Sequence, residues 1–313
     1  MAYQNFLVTG AMGFIGSHFC EYLLKKNVKV IGLDLSPNYT KLLEFDNFTF
    51  VGDSVKNYDL LKSLILKSDV ICHFAGIASP DQYVKFPLKV VDITALASLR
   101  IAEMCRGLGK LFFFTSTSEI YGKNISLPFS EDDDRLLGST ATNRWCYSSS
   151  KAVVEHYLLG ASQSKELSSI IVRLFNVYGS RLSGRVVSTF IENALTNKDI
   201  IIHGDGSQTR SFTFVEDVME AFWLLINAEQ AKNSIFNIGN TKENTITQLA
   251  ETVKKSANSK SEIKYIPHQE FYGGSYEDIP RRTPDISKIK NTVNWEAKTN
   301  LEEGINKIIE QKE

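Results

Sequence analysis

Residues 9–16 read Thr-Gly-Ala-Met-Gly-Phe-Ile-Gly, "TGAMGFIG", between the apolar run "FLVT" (6–9) and the amphipathic stretch "GSHFCEYLLKKN" (16–27). Glycines at 10, 13 and 16 let a strand turn sharply into a helix whose first N–H groups and positive dipole end stay available to an anion. Alone, such a triplet is only a tight turn. Here strand, turn and helix follow in order, and Asp34 closes the second strand candidate, "VIGLD" (30–34), where a carboxylate can hold a ribose diol. Gly10, Gly13, Phe14, Ile15, Gly16 and Asp34 are therefore expected to bind a dinucleotide. No arginine follows Asp34 at once, which favours NAD over NADP.

Working outward, six short apolar runs alternate with helix-compatible stretches over the first 175 residues. The strand candidates are 6–9, 28–33, 48–51, 69–74, 111–115 and 168–175, rich in Val, Ile and Phe and without polar alternation. Such strands suit a sheet buried on both faces. Between them lie helix candidates at 16–27, 58–68, about 82–108 and 144–165. The pattern predicts an α/β fold: a Rossmann-like, doubly wound parallel sheet with a smaller, mainly C-terminal substrate-binding α/β region. The boundaries expected are 1–175 for the dinucleotide-binding domain, which also receives 205–240, and 176–204 with 241–313 for the second region. There, 186–198 and 245–257 read as helices and 199–203 and 234–240 as strands, with Thr245 a good N-cap.

Composition narrows the class. The chain is 43% hydrophobic and 23% charged over 313 residues, as in soluble globular enzymes. Lys+Arg 35 against Asp+Glu 36 gives a net charge of −1, which argues against a sequence-independent nucleic-acid binder. Cysteines at 20, 72, 105 and 146 form no CxxC pair and are read as reduced thiols. His18, His73, His156, His203 and His268 show no ligand spacing, so no metal is expected. The opening "MAYQNFLVTG" has no basic start followed by a long apolar stretch, and no apolar run reaches about 18 residues. A soluble, cytoplasmic protein without a membrane partner is the expectation.

Three further stretches carry chemistry. "YSSSK" puts Tyr147 and Lys151 four residues apart, on one helix face. Free tyrosine, with a pKa of about 10, is a poor base at neutral pH, and a nearby ammonium favours its phenolate. The pair can take a hydroxyl proton while a nicotinamide takes the hydride. "TSTSEIYG" (115–122) places Thr117, Ser118 and the ionisable Glu119 where the buried run "KLFFF" ends, on the expected ligand rim. "GDSV" (52–55) and "HFAG" (73–76) end two more strands on that rim, offering Asp53, Ser54, Ala75 and Gly76 to the cofactor. Asp53 reads equally well as a turn residue, and the acidic "SEDDDR" (130–135) as a solvated loop.

Together "TGAMGFIG", Asp34, "STSE" and "YSSSK" resemble the extended short-chain dehydrogenase/reductases, specifically the NAD-dependent nucleotide-sugar epimerases and dehydratases, over nearly the whole chain. Later stretches are similar to the UDP-glucuronate decarboxylases, including the decarboxylase domain of the bifunctional lipid A-modifying enzyme. "ASPDQY" (78–83) supplies Tyr83, "RLFNVYG" (173–179) Asn176, "GRVVSTF" (184–190) Arg185, and "HGDGSQTRSFTFVEDV" (203–218) Arg210. "YEDIPRRTPDISK" (276–288) supplies Tyr276 and puts Arg282 at the position of the family's catalytic arginine. The resemblance implies a UDP-sugar substrate whose diphosphate meets Asn176 and arginines, with Arg210 facing the diphosphate or the uridine ribose, and a homodimer formed through the long helices near 82–108 and 144–166. It also implies C4 oxidation of UDP-glucuronate, carbon dioxide loss, and release of UDP-xylose or a UDP-4-keto-pentose. A 4-epimerase would use the same Tyr147, Lys151 and NAD. A 4,6-dehydratase is disfavoured because its Asp-Glu pair becomes Ser118-Glu119 here, and a non-catalytic NAD sensor would have no need of the Tyr147/Lys151 pair.

Overall fold

The computed structural model describes residues 3–267 and 281–312. Its chain divides into two compact units: 1–123 with 134–173 and 222–236, and 124–133 with 174–221 and 237–313. Of the stretch 205–240, the part 222–236 thus groups with the first unit and the rest with the second.

The first unit is built on a seven-stranded parallel sheet. In chain order its first six strands are β1 (Asn5–Thr9), β2 (Lys29–Asp34), β3 (Phe48–Gly52), β4 (Val70–His73), β5 (Leu111–Thr117) and β6 (Ser168–Leu174). Across the sheet the order is β3, β2, β1, β4, β5, β6, then the strand Ser234–Ile238. The order reverses beside β1, between β2 and β4, and crevices at such switch points take ligands at the carboxyl ends of the strands. β4 and β5 are buried at every residue, which explains their unbroken apolar reading. The helices are α1 (Phe14–Lys25), α2 (Tyr58–Leu66), α3 (Pro80–Lys85), α4 (Pro87–Val90), α5 (Ser98–Cys105) and α6 (Trp145–Gln163). On one sheet face Phe19, Phe74, Phe113 and Phe222 pack together, with Phe113 and Phe222 ring centroids 4.8 Å apart. On the other, Ile71, Phe112 and Phe114 pack with Ile101, Val154 and Leu158.

The expected helix over about 82–108 is not one rod. Pro87 has no N–H and disfavours helical backbone at the residue before it. Phe86 accordingly leaves the helix at φ −132°, ψ 56°. Val91–Ala97 then winds as a π-helix before α5 begins. π turns are rare and cluster at functional sites, and Thr94 on this one borders the expected cofactor strip.

In the second unit the helices Val186–Leu195, Ile246–Ser256 and Leu301–Glu310 close around Tyr178, Phe190, Ile202, Phe214, Leu249 and Ile305. Two of them start on reciprocal capping boxes, Thr245 with Gln248 and Asn300 with Glu303. Among the described residues no helix is long and apolar enough to cross a membrane.

Candidate active site

The glycine-rich turn has the stereochemistry that its sequence requires. Gly10 sits at φ +71°, and a Cβ there would lie 2.8 Å from the Ala75 nitrogen. A Cβ on Gly16 would lie 2.0 Å from the Gly10 carbonyl oxygen, so α1 packs backbone to backbone on the turn. At Gly13, the N-cap of α1, a Cβ would meet only the Gly10 oxygen, at 3.3 Å. That outer side is open to a pyrophosphate, and the amides of Phe14, Ile15 and Gly16 lack intrahelical acceptors there. Asp34 is tied to the turn: Oδ2 accepts the Met12 amide at 2.8 Å and Oδ1 the Leu35 amide at 2.7 Å. These residues fit a bound dinucleotide. Gly16→Ala is expected to weaken NAD affinity and destabilise the fold by about 1–3 kcal/mol through overpacking, read by fluorescence titration and thermal melting.

Asp53 is engaged in the turn that opens α2. Its Oδ1 accepts the Ser54 amide at 2.6 Å and its Oδ2 the Asn57 side-chain amide at 2.8 Å, while Asn57 caps the helix. Below the glycine turn, a hydrogen-bond chain braces β1 against β4 and the π-helix. Ser98 Oγ donates to the Thr94 carbonyl at 2.9 Å, so it accepts from His73 Nε2 at 2.8 Å. His73 Nδ1 is then left to accept from Thr9 Oγ1 at 2.7 Å, and Thr9 in turn accepts the Ala75 amide at 3.3 Å. Burial, with the Lys151 charge behind it, lowers the His73 pKa to about 3, so the ring stays neutral and holds this tautomer. His73 is a brace, not a ligand.

Tyr147 and Lys151 lie in the first two turns of α6, and both are buried. Lys151 Nζ donates to the Thr115 carbonyl at 2.7 Å and sits 4.5 Å over the Phe114 ring. A Cβ on Gly76 would come 3.8 Å from that ammonium, so the "HFAG" strand end passes beside Lys151. Burial lowers the Lys151 pKa to about 7, with Glu155 opposing the shift. Glu155, one turn further along α6, pairs with Arg173 at 2.7 Å and also accepts from Ser116 Oγ. Arg173 Nη1 in turn donates to Tyr121 OH at 3.0 Å. A fully internal ion pair therefore locks α6 to β5, β6 and the turn after β5. Breaking such a pair by removing one partner typically costs about 3–5 kcal/mol.

The "STSE" stretch forms a 3-10 turn, Ser118–Tyr121, capped by Thr117, whose Oγ1 accepts the Glu119 amide at 3.2 Å. The turn buries Ser118 and Glu119 and brings Glu119 into a cluster. Tyr83 OH donates to Glu119 Oε1 at 3.2 Å, and Arg144 Nη2 lies 4.0 Å from the same oxygen. The Tyr83 ring also stacks on Tyr147, centroids 5.3 Å apart and planes 8° from parallel. Tyr83 thus touches both the tyrosine expected to act as base and the expected carboxylate. Arg144, only 2% exposed, was not singled out in the sequence. Its signal was available: it stands three residues before Tyr147, hence on the same side of the helix start. Glu155 was equally legible, four residues after Lys151.

The remaining expected residues belong to the second unit. Asn176 adopts a left-handed backbone at φ 36°, and its side-chain Nδ2 is buried with no hydrogen-bond partner among the described residues. A buried donor of that kind calls for an acceptor beyond the described residues. Arg185 is the N-cap residue of helix Val186–Leu195, and Arg210 lies on strand Thr209–Ser211, 9% exposed, with Nη1 donating to the Thr209 carbonyl at 2.8 Å. Arg282 is partly buried within residues 281–285. Tyr276 falls outside the described residues.

Comparison with known proteins identifies the family. Residues 6–239 match the model of the NAD dependent epimerase/dehydratase family. The chain is 33% identical to UDP-N-acetyl-alpha-D-glucosaminuronate decarboxylase of Bacillus cytotoxicus, over 97% of this chain and 96% of that protein. It is 32% identical to UDP-glucuronic acid decarboxylase 1 of Danio rerio, over 98% of this chain and 72% of the relative. Among solved structures it is similar to UDP-glucuronic acid 4-epimerase from Bacillus cereus in complex with UDP-glucuronic acid and NAD, with TM-score 0.87 and 26% identity over 99% of this chain and 100% of that one.

Proposed function

The chain belongs to the NAD-dependent epimerase/dehydratase family, and from that premise we propose that it oxidises C4 of a UDP-hexuronate and expels the C6 carboxylate as carbon dioxide. The cofactor is NAD. The observation that carries the reading is the internal cluster in which Tyr83 and Arg144 converge on Glu119 while Tyr83 stacks on Tyr147. The two relatives compared, each spanning most of its length with this chain, are both named as decarboxylases of UDP-linked uronic acids.

NAD, when bound, supplies the hydride acceptor at C4 and can return what it took. Tyr147 removes the 4-hydroxyl proton, helped by the Lys151 charge. A C4 ketone makes the C6 carboxylate part of a β-keto acid. The C5–C6 bond then breaks, its electron pair moves into a C4 enolate, and the Tyr147 hydroxyl stabilises that oxygen. Thr117, Ser118 and Glu119 are assigned to the wall beside the sugar ring, and C5 of the enolate takes up a proton there as the C4 ketone re-forms, the step to which Glu119 is assigned. Arg282 is assigned as proton donor or charge partner, while Asn176, Arg185 and Arg210 answer the diphosphate with charge-assisted hydrogen bonds. Returning the hydride yields a UDP-pentose, and releasing earlier yields a 4-keto pentose.

Incubation with NAD and either UDP-glucuronate or its 2-acetamido analogue, followed by product mass, tests the reading. Loss of carbon dioxide is expected. An unchanged mass with a new sugar isomer would instead establish a 4-epimerase, the reading favoured by the likeness to the Bacillus cereus enzyme. Loss of water would establish a dehydratase, and no change a non-catalytic NAD sensor.

We also infer a homodimer. Phe86, Leu88 and Leu96 are 52%, 83% and 55% exposed on the helical segment between β4 and β5, and Val153 on α6 is 44% exposed. Apolar side chains this exposed on neighbouring helices suit a partner helix pair. Leu88→Asp with Leu96→Glu is expected to yield a monomer on size exclusion; an unchanged elution volume would rule this face out.

A further inference from the structure

We propose that Glu243 is a positioning residue for Arg282, clamping the residues on either side of it to the strand pair that carries Arg210. The inference rests on the role assigned to Arg282 above. Glu243 begins strand Glu243–Thr245, which pairs antiparallel with Thr209–Ser211, so that Asn244 stands opposite Arg210. Its carboxylate takes Arg281 in a fork, Nη2 to Oε2 at 2.7 Å and Nε to Oε1 at 3.3 Å. The same Oε1 accepts Thr283 Oγ1 at 2.5 Å and Thr209 Oγ1 at 3.1 Å. One carboxylate therefore spans Arg282 from both sides and ties it to the neighbouring strand.

The rest of the segment is anchored independently. The Phe129 amide donates to the Thr283 carbonyl at 2.8 Å, and the Asp285 amide donates to the Phe129 carbonyl at 2.8 Å. Asn237 Nδ2 reaches the same Phe129 carbonyl at 2.8 Å, and the Asn237 amide is held by Glu131. Pro284 sits so close to Gly239 that a Cβ there would meet it at 2.8 Å. Residues 283–285 are thus seated without Glu243. What Glu243 adds is the hold on Arg281 together with the Thr283 side chain, which decides how the residue between them is presented. The Arg281 side chain is 58% exposed, and pairs in such places contribute little to stability. The fork with Arg281, then the Thr283 bond, keeps the Glu243 carboxyl below its usual range, so it is charged and able to clamp at neutral pH.

Because the clamp holds Arg282 in place, misplacing that residue is the expected cost of losing it. Glu243→Ala should slow carbon dioxide release by about tenfold to a hundredfold, the scale of an ångström-sized misplacement, with NAD affinity and melting temperature near those of the parent. Glu243→Gln, which keeps an acceptor for both threonines but not the ionic fork, should fall between. In an Arg282→Met background Glu243→Ala should cost nothing more, since the residue it positions is gone. Hydrogen–deuterium exchange over residues 281–285 should quicken in Glu243→Ala. Additive losses in the double variant, unchanged activity in Glu243→Ala, or unchanged exchange would each overturn the proposal. Quickened exchange alongside an Arg282→Met enzyme that still decarboxylates would support the clamp and remove Arg282 from the chemistry instead.

Discussion

Tyr147→Phe is expected to lower turnover by about 10²–10⁴-fold, the range of a lost general base, and to leave NAD binding and the fold in place. Only an oxygen is removed. The ring is buried in α6 and stacked on Tyr83, and phenylalanine keeps that stack. Lys151 sharpens the expectation. Its ammonium is held by the Thr115 carbonyl and its pKa is lowered to about 7, mainly by burial. An ammonium beside a phenol favours the phenolate, so Lys151→Met leaves the phenol harder to ionise. The rising limb of kcat/KM against pH should then move to higher pH. Titration of NAD into both variants and a pH–rate profile check this. A Tyr147→Phe enzyme with near-parental kcat, or a Lys151→Met limb that stays where it was, would remove the pair from the mechanism.

On the proposed reaction, Glu119→Gln is expected to suppress carbon dioxide release by about 10²–10³-fold while NAD affinity persists, on the scale of one lost acid–base or charge-stabilising group. The amide is nearly isosteric and can still accept from Tyr83 OH, so the geometry of the 3-10 turn is retained. What disappears is the negative charge beside Arg144, whose guanidinium is almost wholly out of solvent. An arginine buried beside a neutral amide loses Coulomb energy that water cannot replace, so some loss of stability accompanies the loss of activity. Melting curves separate the two, because a structural effect alone would lower the transition temperature without abolishing decarboxylation in the folded fraction. Arg282→Met, assayed in parallel, is expected to act on the same step. Decarboxylation that survives both substitutions would show that neither residue carries it.

The parts of this protein that were legible in its sequence are those made by neighbours along the chain. Six strands announced themselves because parallel strands buried on both faces need continuous apolar runs, and β4 and β5 are buried throughout. The "TGAMGFIG" turn was legible because backbone approaches as close as Gly16 on the Gly10 carbonyl admit only glycine. The Tyr147/Lys151 pair was legible because helix geometry alone places residues four apart on one face. The break in the helix over 82–108 was written in Phe86-Pro87, a local signal that the apolar pattern around it concealed.

Tertiary structure decided the rest, because it depends on distance in space and not on spacing along the chain. Tyr83 meets Glu119 across 36 residues, and the fold alone turns an aromatic that could have been ordinary core into a link between Tyr147 and Glu119. The place of Arg144 three residues before Tyr147 is legible along the chain, but its burial and its approach to Glu119 are set only by the fold. The place of Glu155 one turn after Lys151 is legible along the chain, but its partner is fixed only when β6 brings up Arg173. Glu243, in an unremarked stretch, becomes the hold on Arg281 and Thr283 only when the segment 281–285 lies along its strand. Periodicity and backbone stereochemistry are local, so the sequence by itself determined the α/β architecture, the glycine-rich turn and the placing of Tyr147 and Lys151 on one helix face. Burial and charge pairing are collective, and so the protonation and surroundings of those groups were decided only when the chain folded.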